Sequence, residues 1–207
     1  MGSGCWMERD GSMERDDLTE RDDSMGRNNL AERDDSIGRD YFLVTERLGF
    51  SKWGRDDLEL AKRLWGDPLV TRYICASGRF SEEEIAGRLK LEIANESRYG
   101  VQYWPVFLRK TGELVGCCGL RPHGEDGEYE LGFHLRPDFW KQGLAQEAGT
   151  AVIGYAFETL HANRLFAGHN PNNTASAGVL KRLGFIYIGD EFYAPTGLYH
   201  PSYIRRA

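Results

Sequence analysis

Residues 139–148 read FWKQGLAQEA, a stretch with one glycine, Gly143, at the start of what otherwise has the pattern of a helix. Glycine costs roughly 1 kcal/mol against alanine in a helix interior, so at a helix start it serves the backbone rather than a side chain. Upstream, YELGFHL (129–135) alternates as a strand does, and downstream Leu144, Ala148, Val152, Tyr155 and Ala156 fall on one helical face. Gly143 therefore lies where a strand hands over to a helix. Helix starts leave about four N–H groups without partners and carry partial positive charge. Phosphate fits such a place, and a missing Cβ lets it approach. One reading is an anion cradle formed by the amides of Gln142, Gly143, Leu144 and Ala145. The other is a tight turn that needs glycine and nothing more.

The chain on either side is uneven. Of its 207 residues, the first 40 hold twelve acids and six arginines, which accounts for the whole net charge of −6. From Met7 to Phe42 it repeats every six residues: MERDGS, MERDDL, TERDDS, MGRNNL, AERDDS, IGRDYF. So little apolar surface cannot offset the entropy of ordering, so residues 1–40 read as a disordered or partly helical low-complexity tail. A docking segment for another protein is the alternative. Residues 41–207 have the composition of one globular domain, with acids and bases in balance, which gives no global basic excess to advertise nucleic-acid binding. No run of 18 apolar residues suggests a membrane span, and the N-terminus lacks a signal-peptide layout. Cys5, Cys75, Cys117 and Cys118 match no metal spacing and read as reduced thiols, so a cytoplasmic location is expected. No HExxH, paired-cysteine or acidic cluster points to a metal.

The domain's elements follow from pattern. YFLVTERLGFSKW (41–53) reads as a first strand. DDLELAKRLWGD has Leu58, Ala61, Leu64 and Trp65 on one helical face, ending before Pro68. Ser81 and Glu84 have capping-box spacing and open another helix. VQYWPVFLR and ELVGCCGL form a hairpin about KTG, and YELGFHL extends it after the turn HGEDGE. RLFAGH is a strand, NTASAGVLKRL a helix and FIYIGDEFY a strand. The sum is a mixed α/β sheet with helices on its faces.

Together, WKQGLA and the later HNPNNTASAGVLKRLGF (169–185) resemble the GNAT superfamily of acetyl-CoA-dependent N-acetyltransferases. WKQGLA matches the glycine and alanine of that family's phosphate loop, Gln/Arg-x-x-Gly-x-Gly/Ala. Trp140 in its first place, PNNTAS and VTERLGF are similar to the RimJ/RimL-like branch. The likeness runs from Leu43 to Ile188, about 70% of the chain, and leaves out the tail and the closing YAPTGLYHPSYIRRA.

The resemblance implies an α/β fold with a mostly antiparallel sheet, a splayed central strand pair and helices on both faces. It implies acetyl-CoA as co-substrate, its pantetheine arm along Phe133, His134 and Leu135 and its diphosphate at Gln142, Gly143, Leu144 and Ala145. Asn173 and Ser176 match positions that touch the arm or the thiol, and Asn173 also reads as a plain N-cap. Glu130 matches the glutamate that withdraws the amine's proton. Glu128 shares its face, and the two acids together would attract a cationic amine. The tyrosine that many relatives use to protonate the thiol is replaced by Leu180, with Ser176 as first substitute and Tyr187, Tyr199 and Tyr203 behind it. His134 and His169 lie near the ends of the two strands and read chiefly as structural. The expected acceptor is a primary amine, either a protein N-terminus or a small molecule; a non-catalytic CoA-binding module is the alternative. Nucleic acid and membrane are not expected partners, and the oligomeric state is left open.

Overall fold

The computed structural model describes residues 33–34 and 39–207, so the reading of the repeat tail lies outside the described residues apart from one short strand pairing. Strands β1 (Arg33–Asp34) and β2 (Arg39–Asp40) pair antiparallel with each other. The rest is built on one eight-stranded sheet. In chain order its parts are β3 (Leu43–Val44), β4 (Leu48–Phe50), helices α1 (Leu58–Trp65), α2 (Pro68–Thr71) and α3 (Glu82–Tyr99), then β5 (Tyr103–Leu108), β6 (Leu114–Pro122) and β7 (Glu128–Leu135). Helix α4 (Leu144–Gly154) follows, closed by a π-turn at Tyr155–Thr159. Then come β8 (Arg164–Gly168), α5 (Thr174–Arg182), β9 (Ile186–Tyr193) and β10 (Leu198–Arg205).

The spatial order is β3-β4-β5-β6-β7-β8-β10-β9. Every neighbouring pair is antiparallel except β7 with β8. That parallel pairing covers only Glu128↔Arg164, Tyr129↔Leu165 and Glu130↔Phe166. Beyond it, Ala167 and Gly168 pair with β10, and among the described residues no strand pairs with Gly132–Leu135 on that edge. The expected splay is present. It opens directly after Glu130.

Two apolar clusters sandwich the sheet. On one face α4 contributes Leu144, Ala148, Val152 and Ile153 and α5 contributes Val179 and Leu180, packed on Val115, Cys118, Leu120, Leu131 and Leu165. On the other, α1 and α3 bring Ala61, Leu64, Trp65, Ile85 and Leu89 to Tyr103, Phe107, Leu114 and Cys117. Side chains alternate across a strand, so on β7 Leu131 joins the first face while Glu130, Gly132 and His134 belong to the second. The capping box is formed as expected: Ser81 Oγ accepts from the Glu84 N–H at 3.2 Å, and Glu84 Oε2 from the Ser81 N–H at 2.6 Å.

One expectation is corrected. The stretch 41–53 is not one strand but a hairpin, β3–β4. The Thr45 N–H donates to the Leu48 carbonyl (2.8 Å) and Thr45 Oγ1 accepts from the Leu48 N–H (3.0 Å), so the turn closes through Thr45. The closing segment forms β10, inserted between β8 and β9, which makes β9 the sheet edge. Proline is ordinarily excluded from inner strands because it lacks an N–H. Pro201 is tolerated because the pairing of β10 with β8 begins only at Ser202.

Behind the second face lies a buried charged cluster. Glu92, fully enclosed, takes the Tyr103 N–H (2.9 Å), Arg121 Nη2, and Arg88 Nε in an ion pair at 3.3 Å. Removing one member of such a group strands the others away from water. Glu92→Gln is expected to destabilise the fold by about 3–5 kcal/mol, read as a lower denaturant midpoint with unchanged slope. An unchanged midpoint would show that Arg88 and Arg121 find other partners.

Candidate active site

Main-chain direction decides what the gap offers. A Cβ on Gly116 of β6 would overlap the His134 carbonyl, so that carbonyl faces β6. Main-chain groups alternate along a strand, so those of Leu131, Phe133 and Leu135 face the gap. His134, expected to line the cofactor arm alongside Phe133 and Leu135, turns its backbone the other way. The Leu135 carbonyl accepts from Trp140 Nε1 at 2.8 Å, which ties the following loop to the free edge of β7. Trp140, a departure from the family loop, has this structural task.

After β7 a 3-10 turn (Pro137–Phe139) leads into that loop. Lys141 is left-handed at φ 60, rare for a residue with a side chain, and Gly143 follows at φ 78 as the N-cap of α4. Among the described residues none offers an acceptor to the amides of Gln142, Gly143, Leu144 or Ala145; the first helical bond runs from the Glu147 N–H to the Gly143 carbonyl (3.0 Å). The space above Gly143 holds one neighbour within 4 Å, the Arg47 guanidinium, at 3.6 Å from where a Cβ would stand. The site thus has free amides, a helix N-terminus and a cation. A phosphorylated group fits it.

Arg47 is a site residue that sequence reasoning missed. Its Nη1 donates to the Gln142 carbonyl (3.0 Å), while Nε and the backbone N–H donate to Glu147 (2.6 and 3.0 Å). Thr45 Oγ1 donates to the same carboxylate at 2.6 Å. TER (45–47) and QEA (146–148) therefore form one clamp across a hundred residues. An open cleft of about 440 Å³ flanks it, lined by Thr45, Gly143, Gln146, Glu147, Thr150 and Ala151.

The acids separate. Arg164 Nη2 donates to Glu128 at 2.6 Å and holds its carboxyl below the usual carboxylate range. The expectation that Glu128 and Glu130 act as a pair is corrected: Glu128 is held by Arg164 at the base of the gap, and Glu130 stands at its mouth. Opposite Glu130 on the neighbouring β6 is Arg121. Next on the same face, a Cβ on Gly132 would overlap Cζ and the hydroxyl of Tyr103, whose ring reaches across from β5. Then comes His134. The Trp65 indole N–H lies 3.3 Å from its Nδ1 and the Cys117 Sγ 3.6 Å. An indole nitrogen can only donate, so Nδ1 is bare and the ring proton is on Nε2. Burial, then Arg88 and Arg121, push its pKa well below the usual histidine value, so it stays neutral. Cys117 is inert as well, its thiol pushed up to about 12 by burial.

On the α5 side, Asn173 is the N-cap: its side chain accepts from the Ser176 N–H at 3.3 Å. Ser176 is half-buried, and Leu180 is enclosed. His169 stacks on Tyr203, with Nδ1 2.8 Å from the Asn170 carbonyl and Nε2 3.2 Å from the Tyr203 hydroxyl. A carbonyl only accepts, so Nδ1 carries the proton and Nε2 takes the Tyr203 O–H. Both groups are used within the fold. Tyr187 donates to Asp190 (2.9 Å) and Tyr199 packs on Phe192 at the exposed hairpin. The β9–β10 turn touches the segment after α2, where the Ala76 N–H donates to the Pro195 carbonyl at 3.2 Å. Among the described residues no cluster of three or more metal-binding side chains occurs, and no helix is long and apolar enough to cross a membrane.

These features define an acyl-CoA transferase fold, and residues 47–186 match the family profile described as an acetyltransferase (GNAT) domain. The chain belongs to the GNAT acetyltransferase family. It is 32% identical over 145 residues to an uncharacterized N-acetyltransferase, p20, of Bacillus licheniformis, spanning 69% of this chain and 81% of the relative. Its fold is similar to that of a GNAT-family acetyltransferase from Bacillus anthracis (TM-score 0.68, 25% identity, 79% of this chain and 97% of that one). It is also similar to that of Mycobacterium smegmatis RimJ in complex with a CoA disulfide (TM-score 0.65, 19% identity, 77% and 82%). Nothing in these likenesses supports a non-catalytic module.

Burial alone would raise the pKa of Glu147, but the bonds from Thr45 and Arg47 outweigh it and the net shift is downward. A carboxylate with a depressed folded pKa stabilises fully above its unfolded value of about 4.3 and loses that contribution as pH falls through the folded one. Glu147→Gln is therefore expected to flatten the fall in stability below about pH 4.3, measured by denaturant titration across pH. Parallel curves for the two proteins would show that the clamp adds nothing to folding.

Proposed function

We propose that this domain transfers an acetyl group from acetyl-CoA to a primary amine by direct attack, with no covalent enzyme intermediate. The observation that carries the reading is the set of unpartnered amides from Gln142 to Ala145 beside a sheet that parts after Glu130. Those amides and Arg47 would hold the diphosphate. The main-chain groups of Phe133, the first residue past the last β7–β8 pair to face the gap on both its N–H and C=O, would receive the pantetheine arm, with Asn173 and Ser176 on its far side. When bound, acetyl-CoA supplies an activated thioester carbonyl.

The remaining work belongs to this chain. A primary amine is mostly protonated at neutral pH, having a pKa near about 10. Glu130, at the mouth of the gap, accepts its proton directly or through water. Arg121, opposite, keeps a cation beside that carboxylate. Binding both partners in one wedge contributes by proximity. Ser176 is the hydroxyl best placed by sequence to serve the thiol in place of the missing tyrosine. The acceptor is a protein N-terminus or a small-molecule amine, in the cytoplasm.

Thiol release from acetyl-CoA with a panel of N-terminal peptides, polyamines and aminoglycoside-like amines tests this. At least one amine is expected to give turnover, and Glu130→Gln to lower kcat on the order of 10²- to 10⁴-fold with CoA affinity unchanged. Binding of acetyl-CoA with no turnover on any amine, or a fully active Glu130→Gln, would overturn it.

A further inference from the structure

The second face of β7, which carries Glu130, bears a group that the proposed chemistry leaves unused. Tyr103 springs from β5, and its ring lies across the sheet so that the hydroxyl rests against Gly132, two residues beyond the last β7–β8 pair. Gly132 is what permits this, since any Cβ there would occupy the phenol's place. The ring is held from several sides. The Arg121 guanidinium sits 4.3 Å over its centroid, and His134 meets it edge-on at 5.8 Å. Its own N–H donates to Glu92 at 2.9 Å and its carbonyl accepts from Trp53 Nε1 at 2.7 Å. The residue is 4% exposed, yet among the described residues no protein group is seen to bond its hydroxyl.

We propose that the Tyr103 hydroxyl is a catalytic hydrogen-bond donor to the carbonyl oxygen of the acyl group in the gap. The inference rests on the acetyl-transfer reading above and adds a residue to it. A clamped donor held against Gly132, beside the gap in which the acyl carbonyl would develop negative charge, needs no reorganisation when it does so. The phenol is suited to donating and unsuited to ionising. Burial, then the charge of Glu130, raise its pKa well above the ordinary value, so it remains protonated and gives no proton to a thiolate. It is therefore not a relocated version of the tyrosine missing at Leu180. Its partner is the oxygen, not the sulfur.

The test is isotope-edited infrared spectroscopy of acetyl-CoA carrying ¹³C at the carbonyl, bound to wild type and to Tyr103→Phe, which keeps the ring and removes only the oxygen. The bound carbonyl is expected at lower frequency in wild type. In turnover with an accepted amine, kcat of the variant is expected to fall on the order of 10²-fold with acetyl-CoA affinity within about twofold, as for an interaction made only in the transition state. Equal frequencies in two proteins that both bind acetyl-CoA overturn the inference, even if kcat falls, and leave the acetyl-transfer reading intact. No binding of acetyl-CoA to wild type overturns both. Should the phenylalanine variant not fold, incorporation of 3-fluorotyrosine, a stronger donor, is expected to lower the wild-type frequency further, and no shift overturns the inference.

Discussion

The constraint on which the rest of the structure depends is the short parallel pairing of β7 with β8. Three residue pairs hold the two strands together, and then β8 keeps only its bonds to β10. A strand edge inside a sheet that loses its neighbour leaves N–H and C=O groups that water or a ligand must satisfy. The Leu131 N–H belongs to the last bridge to Phe166 and the Leu135 carbonyl is served by Trp140, which leaves the Leu131 carbonyl and both groups of Phe133. Those unmet bonds make the middle of an otherwise closed sheet a place for an extended guest.

Everything near the gap is arranged around that opening. The loop that leaves β7 is drawn back to it by Trp140 and pinned from the other side by Arg47 and Glu147, so the free amides at the start of α4 keep a fixed position relative to the strand edge. At the base, Arg164 and Glu128 close the vertex. On the far face, Glu92 gathers Arg88 and Arg121 beneath Tyr103. A buried group of this kind is a weak source of stability but a strong source of geometry, because each member loses its partner if another moves.

Much of the fold could be read from local chemistry. The capping box at Ser81, the KTG hairpin and the apolar faces of α1 and α4 depend on residues a few positions apart, and all are present. The corrected elements involve distant partners. Residues 41–53 look like one strand because Phe42, Leu43 and Val44 and then Leu48 to Phe50 are apolar, while the break comes from Thr45 and from a carboxylate on α4. The acidic pair at 128 and 130 looks symmetric until Arg164 takes one member. The glycine of YELGF did carry a sign of close approach, since glycine in a strand often marks one, but which side chain approaches is decided two strands away.

By itself the sequence determined the family, most elements from α1 to β9 and the glycine turn at 143, since each rests on short-range pattern or on motif spacing along one chain. The tertiary structure alone decided which main-chain groups face the gap, that Arg47 stands over Gly143, that β10 lies inside the sheet, and that Tyr103 ends against Gly132. Those are matters of register and of contacts across tens of residues, and a strand's hydrogen-bonding direction is set by its neighbour rather than by its own side chains.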